Sequence, residues 1–194
     1  MIAGILLAAG RSSRFGSDKL TQAEPGGQPL ALQAARAFAP LQHTLAVIPA
    51  GNERLRALFA GIGFGVTEVA GTAAMSRSLQ AGLAAASEAR GWIVGLADMP
   101  CVQPSTVAAI RQALEQGAHL VACRHGGRRG NPVGFSQNMT AALRALQGDQ
   151  GARRLLEERS ADVHWLDVDD PGILLDIDVP ADWAQYSASF SRKS

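Results

Sequence analysis

The sequence is short of the residues that several classes of protein depend on. Its 194 residues contain two cysteines, Cys101 and Cys123, and four histidines. The cysteines form no CxxC pair and join no histidine cluster, which argues against a structural zinc site and fits a reduced, cytoplasmic setting. His43, His119 and His164 are scattered near strand starts and loops, where structural roles suit them. No apolar run approaches the roughly 18 residues needed to cross a bilayer. The stretch Met1 to Ala9 is apolar but short, lacks a basic leader and runs straight into Gly10, which speaks against a secretory signal. A formal net charge of +1 supplies no general attraction to nucleic acid or anionic membrane. Any hold on an anion must therefore be local.

What is present is a core. Hydrophobic residues make up 47% and charged residues 18%, the balance of a folded globular chain. The length suggests one domain, placed at residues 1–186, with 187–194 as a frayed tail. Strand-like runs are Ile2–Leu7, Thr44–Ile48, Val66–Val69, Trp92–Leu96, His119–Cys123 and Val163–Leu166. Helical spacing falls between them at Leu30–Phe38, Asn52–Phe59, Ser76–Ala86, Pro104–Leu114 and Met139–Leu146. This alternation predicts an α/β fold with a largely parallel sheet covered on both faces. In such sheets ligands sit beyond the carboxyl ends of the strands.

After the first strand, Leu7, Ala8, Ala9 and Gly10 run into a basic loop that holds Arg11, Arg14, Gly16 and Lys19. Small residues let a backbone approach a ligand closely, and its cations could lie along a polyphosphate. The loop is neither a Walker loop, which needs Gly-Lys-Ser/Thr, nor a GxGxxG dinucleotide turn. Charge and glycine alone leave an ordinary solvated loop open as the alternative.

The fourth strand runs into Ala97-Asp98-Met99-Pro100, which places a carboxylate at the crevice. Asp98 could hold Mg²⁺, a hard ion with oxygen ligands, or could simply bond its own turn. In Leu175-Asp176-Ile177-Asp178-Val179-Pro180, an extended chain would point Asp176 and Asp178 the same way. Asp178 is the better second metal ligand, with turn or capping roles still open. Pro180 is expected to open a helix with Asp182 in its first turn, as a partner of the helix dipole. Ser76 reads as a helix N-cap. The segment Arg124–Val133 reads as a mobile basic loop able to grip an anionic substrate, with His125 within its reach. It lacks the stacking aromatics of a nucleic-acid site.

Taken in order, the motifs carry more than they do singly. Leu7-Ala8-Ala9-Gly10 with Arg14-Phe15-Gly16 and Lys19 resembles the LAAGxSxRxG…K signature of the nucleotidyltransferases of the molybdenum-cofactor group. Gly26-Gly27-Gln28-Pro29-Leu30, Ser78-Leu79-Gln80-Ala81-Gly82-Leu83 and Leu96-Ala97-Asp98-Met99-Pro100 follow. After them come Gly130-Asn131-Pro132-Val133, Gly148-Asp149-Gln150-Gly151-Ala152-Arg153 and the Asp176–Asp182 segment. The likeness is nearest to the cytidylyl branch, because Ala8-Ala9-Gly10 stands where the guanylyl branch has Ala-Gly-Gly. One departure is Asn131, where the cytidylyl branch has His.

The resemblance implies a three-layer α/β/α, Rossmann-like nucleotidyltransferase fold of the glycosyltransferase-A-like kind. It implies transfer of CMP from CTP to a molybdopterin-type acceptor, with Mg²⁺ as cofactor. Leu7 to Gly10 and Arg11 would cradle the nucleotide, Arg14 and Lys19 would neutralise its phosphates, and Ser78 would meet the base. Asp98 and Asp178 would hold Mg²⁺, and Asn131, Asp149 and Arg153 would face the acceptor. A molybdoenzyme or its chaperone would be the downstream partner. GTP in place of CTP, another phosphorylated acceptor, or a non-catalytic module that delivers the cofactor remain as alternatives.

Overall fold

The computed structural model describes residues 1–10, 19–22, 27–71, 73–149, 152–178 and 182. Arg11, Arg14, Gly16, Gly26, Gln150, Gly151, Pro180 and the tail after 186 lie outside the described residues. The strands are β1 (Ile2–Leu7), β2 (His43–Pro49), β3 (Gly65–Val69), β4 (Gly91–Leu96), β5 (Leu120–His125), β6 (Arg128–Ser136) and β7 (His164–Asp167). The helices are α1 (Leu30–Ala35), α2 (Glu53–Gly61), α3 (Met75–Ala85), α4 (Pro104–Glu115), α5 (Thr140–Arg144) and α6 (Ala152–Glu158). Among the described residues the strands form one sheet in the order β3-β2-β1-β4-β6-β5-β7. Pairings on the β3-β2-β1-β4 side and between β5 and β7 are parallel, whereas β6 runs antiparallel to both β4 and β5.

Alternation along the central strands divides the core. Leu6, Ala46, Ile48 and Ile93 pack with Leu30 of α1, Leu55 and Phe59 of α2, and Val107 and Ile110 of α4. Ile5, Val47, Trp92 and Val94 face the other way, against Leu79 and Leu83 of α3, Leu143 of α5, and Leu155 and Leu156 of α6. Both faces of these strands are therefore buried, which is why they read as unbroken apolar runs. The result is a three-layer α/β/α architecture. Local signals agree with it. Asn52 caps α2 by accepting the Leu55 N–H at 3.0 Å, and Pro104 stands at the start of α4, where its missing N–H costs nothing.

Two expectations need correction. The basic segment after Arg124 is not a loop but a hairpin with a nine-residue second strand, β6. Gly126 and Gly127, at φ of 56° and 75°, form a two-residue turn of the kind that needs positive φ at both positions. The His125↔Arg128 pair flanks it. Ser76 is not an N-cap, since Ala74 precedes α3 and Ser76 lies buried inside the helix. The segment 175–178, for which the sequence left an extended run, a turn or a cap open, forms no regular strand or helix.

Candidate active site

The direction of strand addition reverses at β1. β2 and β3 are laid down on one side and β4 on the other, so the crevice beyond the ends of β1 and β4 is a topological switch point. Leu7 and Leu96, the last residues of these strands, are paired across it. A cavity of about 350 Å³ opens there, lined by Leu7, Ala8, Ala9, Gly10, Lys19, Ser78, Asp98, Asp149 and Asp178 among others. That size suits a small-molecule ligand. A second cavity of about 410 Å³ adjoins it, lined in part by Arg129, Gly130, Asn131 and Arg153. The two share Leu7, Met75, Leu96 and Asp149.

The polar centre of the first cavity is Lys19. Its Nζ donates to Asp98 Oδ2 at 3.0 Å, to Asp178 Oδ1 at 3.0 Å and to the carbonyl of Ile177 at 2.7 Å. The backbone closes the same ring, because the Ile177 N–H donates to the Asp98 carbonyl at 2.9 Å. Asp182 steadies Asp178 by accepting its N–H at 2.8 Å. Burial works against the charge on Lys19, but the Asp98 carboxylate and the hydrogen bonds to Asp178 and Asp98 outweigh it and hold the pKa above the usual lysine value. Asp176 is pushed above the usual carboxylate range, first by desolvation and then by the charges of Asp178 and Asp98.

Most of the expected residues meet here. Residues 7–10, Lys19, Ser78, Asp98 and Asp178 share the first cavity, while Asn131 and Arg153 line the second. Lys19 differs from expectation in what it touches, which is the two carboxylates and not an open face of the cavity. Arg153 is paired with Glu157 at 2.9 Å along α6. Arg129 and Met75 were not singled out in the sequence. Arg129 stood in plain view within the basic segment, but its placement follows from the β6 pairing.

Asp149 has a second task. It lies far along the chain from α3, yet its Oδ1 accepts the Met75 N–H at 3.0 Å. The Gly148 carbonyl takes the Ser76 N–H at 3.1 Å. These bonds cap a helix that has no capping side chain of its own. Asp149→Ala is expected to lose about 1 kcal/mol of stability, as for loss of an N-cap, and Asp149→Asn to keep most of it. Urea denaturation of the two variants checks this.

Asp98 Oδ1 is buried and has no hydrogen-bond partner among the described residues. A buried carboxylate oxygen without a donor is costly, and a second carboxylate, Asp178, shares Lys19 Nζ with it at 3.0 Å. Hard oxygen ligands of this kind fit a hard divalent cation. Among the described residues no group of three or more His, Cys, Asp or Glu side chains could hold a metal, so the pair would need ligands from elsewhere.

No curated protein matches the chain in sequence. Its fold is close to that of Rv0371c from Mycobacterium tuberculosis, at 26% identity and a TM-score of 0.84, over 95% of this chain and 97% of that one. The same protein has been solved in complex with manganese, at 26% identity and a TM-score of 0.81, over 97% of this chain and 98% of that one. A Methanothermobacter nucleotidyl transferase shares the fold at 20% identity and a TM-score of 0.83, over 100% and 99% of the two chains. So does the molybdopterin-guanine dinucleotide biosynthesis protein A of Archaeoglobus fulgidus, at 17% identity and a TM-score of 0.72, over 98% and 99%. The model of the MobA-like NTP transferase domain matches residues 4–163, which carry most of β1, Lys19, Asp98 and every residue named above as lining the two cavities except Asp178, and the chain belongs to that family.

Proposed function

We propose that the protein transfers CMP from CTP to the terminal phosphate of a molybdopterin-type acceptor and releases pyrophosphate. The observation that carries this reading is the pair of adjoining cavities at the switch point, with Lys19, Asp98 and Asp178 on the floor of the first. One chamber would take the nucleotide and the other its acceptor. Ala8, Ala9 and Gly10 line the nucleotide chamber, and their Ala-Ala-Gly form is the feature that favours CTP over GTP. The manganese complex of Rv0371c supports dependence on a divalent cation, with Mg²⁺ as the ion proposed here.

The chemistry needs little beyond placement. An acceptor phosphate oxygen forms a bond to the α-phosphorus while the bridging bond to the β-phosphate breaks, and pyrophosphate leaves with the electron pair. The nucleophile is already an anion, so no side chain need remove a proton. Catalysis then rests on alignment and charge neutralisation. Asp98 and Asp178 would hold the cation, which supplies positive charge beside the phosphates. Lys19, with Arg14 from the glycine-containing loop, would meet the charge that builds on the departing pyrophosphate. Asn131, Asp149 and Arg153 would orient the acceptor.

The test is incubation with CTP or GTP, Mg²⁺ and molybdopterin, with the product identified by mass. The cytidylyl product is expected in excess. Preference for GTP would move the protein to guanylyl transfer. No magnesium-dependent pyrophosphate release with either nucleotide would favour the delivery module.

A further inference from the structure

Lys19 is needed in two places at once. A protonated lysine has three N–H donors, and here each has an acceptor: Asp98 Oδ2, Asp178 Oδ1 and the Ile177 carbonyl. The side chain is only 8% exposed, so the ammonium is held by protein on nearly every side. In this arrangement no N–H is left for a phosphate. The carboxylates it engages are the two that the proposed reaction assigns to a divalent cation.

Two carboxylates this close together repel unless positive charge lies between them. Lys19 supplies that charge from within the chain, at the high effective concentration that a tether confers. A free cation would have to displace it, and the displaced ammonium would give up all three of its acceptors, which is costly. A nucleotide changes this balance, because its phosphate oxygens can accept the N–H groups that the carboxylates give up. The position left open is Asp98 Oδ1, buried and unpartnered among the described residues.

We propose that Lys19 is the resident counter-ion of the Asp98–Asp178 pair and sets the order of binding. It keeps a free divalent cation off the carboxylates and releases them only when a nucleotide's phosphates take over its hydrogen bonds. Cation and nucleotide then enter together. This rests on the assignment of Asp98 and Asp178 as cation ligands in the proposed function.

The test uses Mn²⁺ alone on the full, nucleotide-free chain, with unbound Mn²⁺ read by electron paramagnetic resonance. Lys19→Met is expected to bind Mn²⁺ about 10-fold or more tightly than the unaltered protein, because a unit positive charge beside the ligands is gone. Equal or weaker binding overturns the proposal. Should Lys19→Met be unfolded without metal, Mn²⁺ is expected to restore its circular dichroism spectrum, and failure to do so overturns it as well. Adding Asp98→Asn to Lys19→Met is expected to abolish the gain, and a gain that persists places the ion elsewhere and overturns the assignment. No nucleotide or acceptor is present, so a negative transfer assay leaves this result standing, and a positive one cannot stand in for it.

Discussion

Asp98→Asn is expected to keep the fold and lower turnover by about 100-fold or more, the scale seen when one key electrostatic group is removed from an active site. The fold should survive because the backbone of Asp98, and not its side chain, accepts the Ile177 N–H. Asparagine also keeps an oxygen for Lys19, which retains Asp178 and the Ile177 carbonyl in any case. What disappears is one of the two negative charges that would hold the cation, together with the buried oxygen that faces no donor among the described residues. Thermal melting and pyrophosphate release on the same preparation separate the two effects. Turnover equal to that of the unaltered protein would sink the assignment of Asp98 as a ligand. Lost turnover with a collapsed melting transition would move Asp98 from the chemistry to the scaffold.

The central strands were legible because burial on both faces leaves an unbroken apolar run, as in Ile2–Leu7 and Trp92–Leu96. β6 was not. Its sequence, Arg128 to Ser136, begins with two arginines and contains two glycines and a proline, all local signals for a loop. It becomes a strand because β4 and β5 pair with it from either side, and long-range pairing can override local preference. Helix α6 escaped for a different reason. Arg153-Arg154-Leu155-Leu156-Glu157-Glu158 is short, and its helical marks are two ion pairs one turn apart, Arg153 to Glu157 and Arg154 to Glu158. The carboxylates of the site could be suspected from their places next to strand and proline. That Lys19 would bind both of them could not, because the contacts join residues 79 and 159 positions apart along the chain. The same limit hid the Asp149 cap of α3, where the side chain that completes the helix comes from another element.

One residue whose loss should cost much stability is marked by no motif. Asp170→Ala is expected to lose about 3–5 kcal/mol, because three donors lose hydrogen bonds to a charged group at about 1.5–3 kcal/mol each, offset in part by relief of the carboxylate's own burial. Asp170 is 2% exposed. Its Oδ2 accepts the Gln103 N–H at 2.9 Å and the Thr106 hydroxyl at 2.6 Å, while Oδ1 accepts the Gly172 N–H at 3.0 Å. The Gln103 side chain accepts no N–H of the first turn of α4, so Asp170 serves as a distant cap and sets negative charge at the positive end of that helix. Alanine would leave two backbone N–H groups and a hydroxyl without their acceptor. The neighbouring chain has little freedom to adjust, because a Cβ on Gly172 would run into the Cys101 carbonyl. At roughly 2–4 °C per kcal/mol for a chain of this size, the melting temperature should fall by about 10 °C, and Asp170→Asn, with one good acceptor left, should fall between the two. The loss should also reach the site, because the segment that Asp170 pins, Pro171–Leu174, leads directly to Ile177 and Asp178 on Lys19. Activity of Asp170→Ala is therefore expected to decline at temperatures below its main melting transition. A variant that melts within about 2 °C of the unaltered protein would show that water replaces the carboxylate, and that α4 does not depend on it.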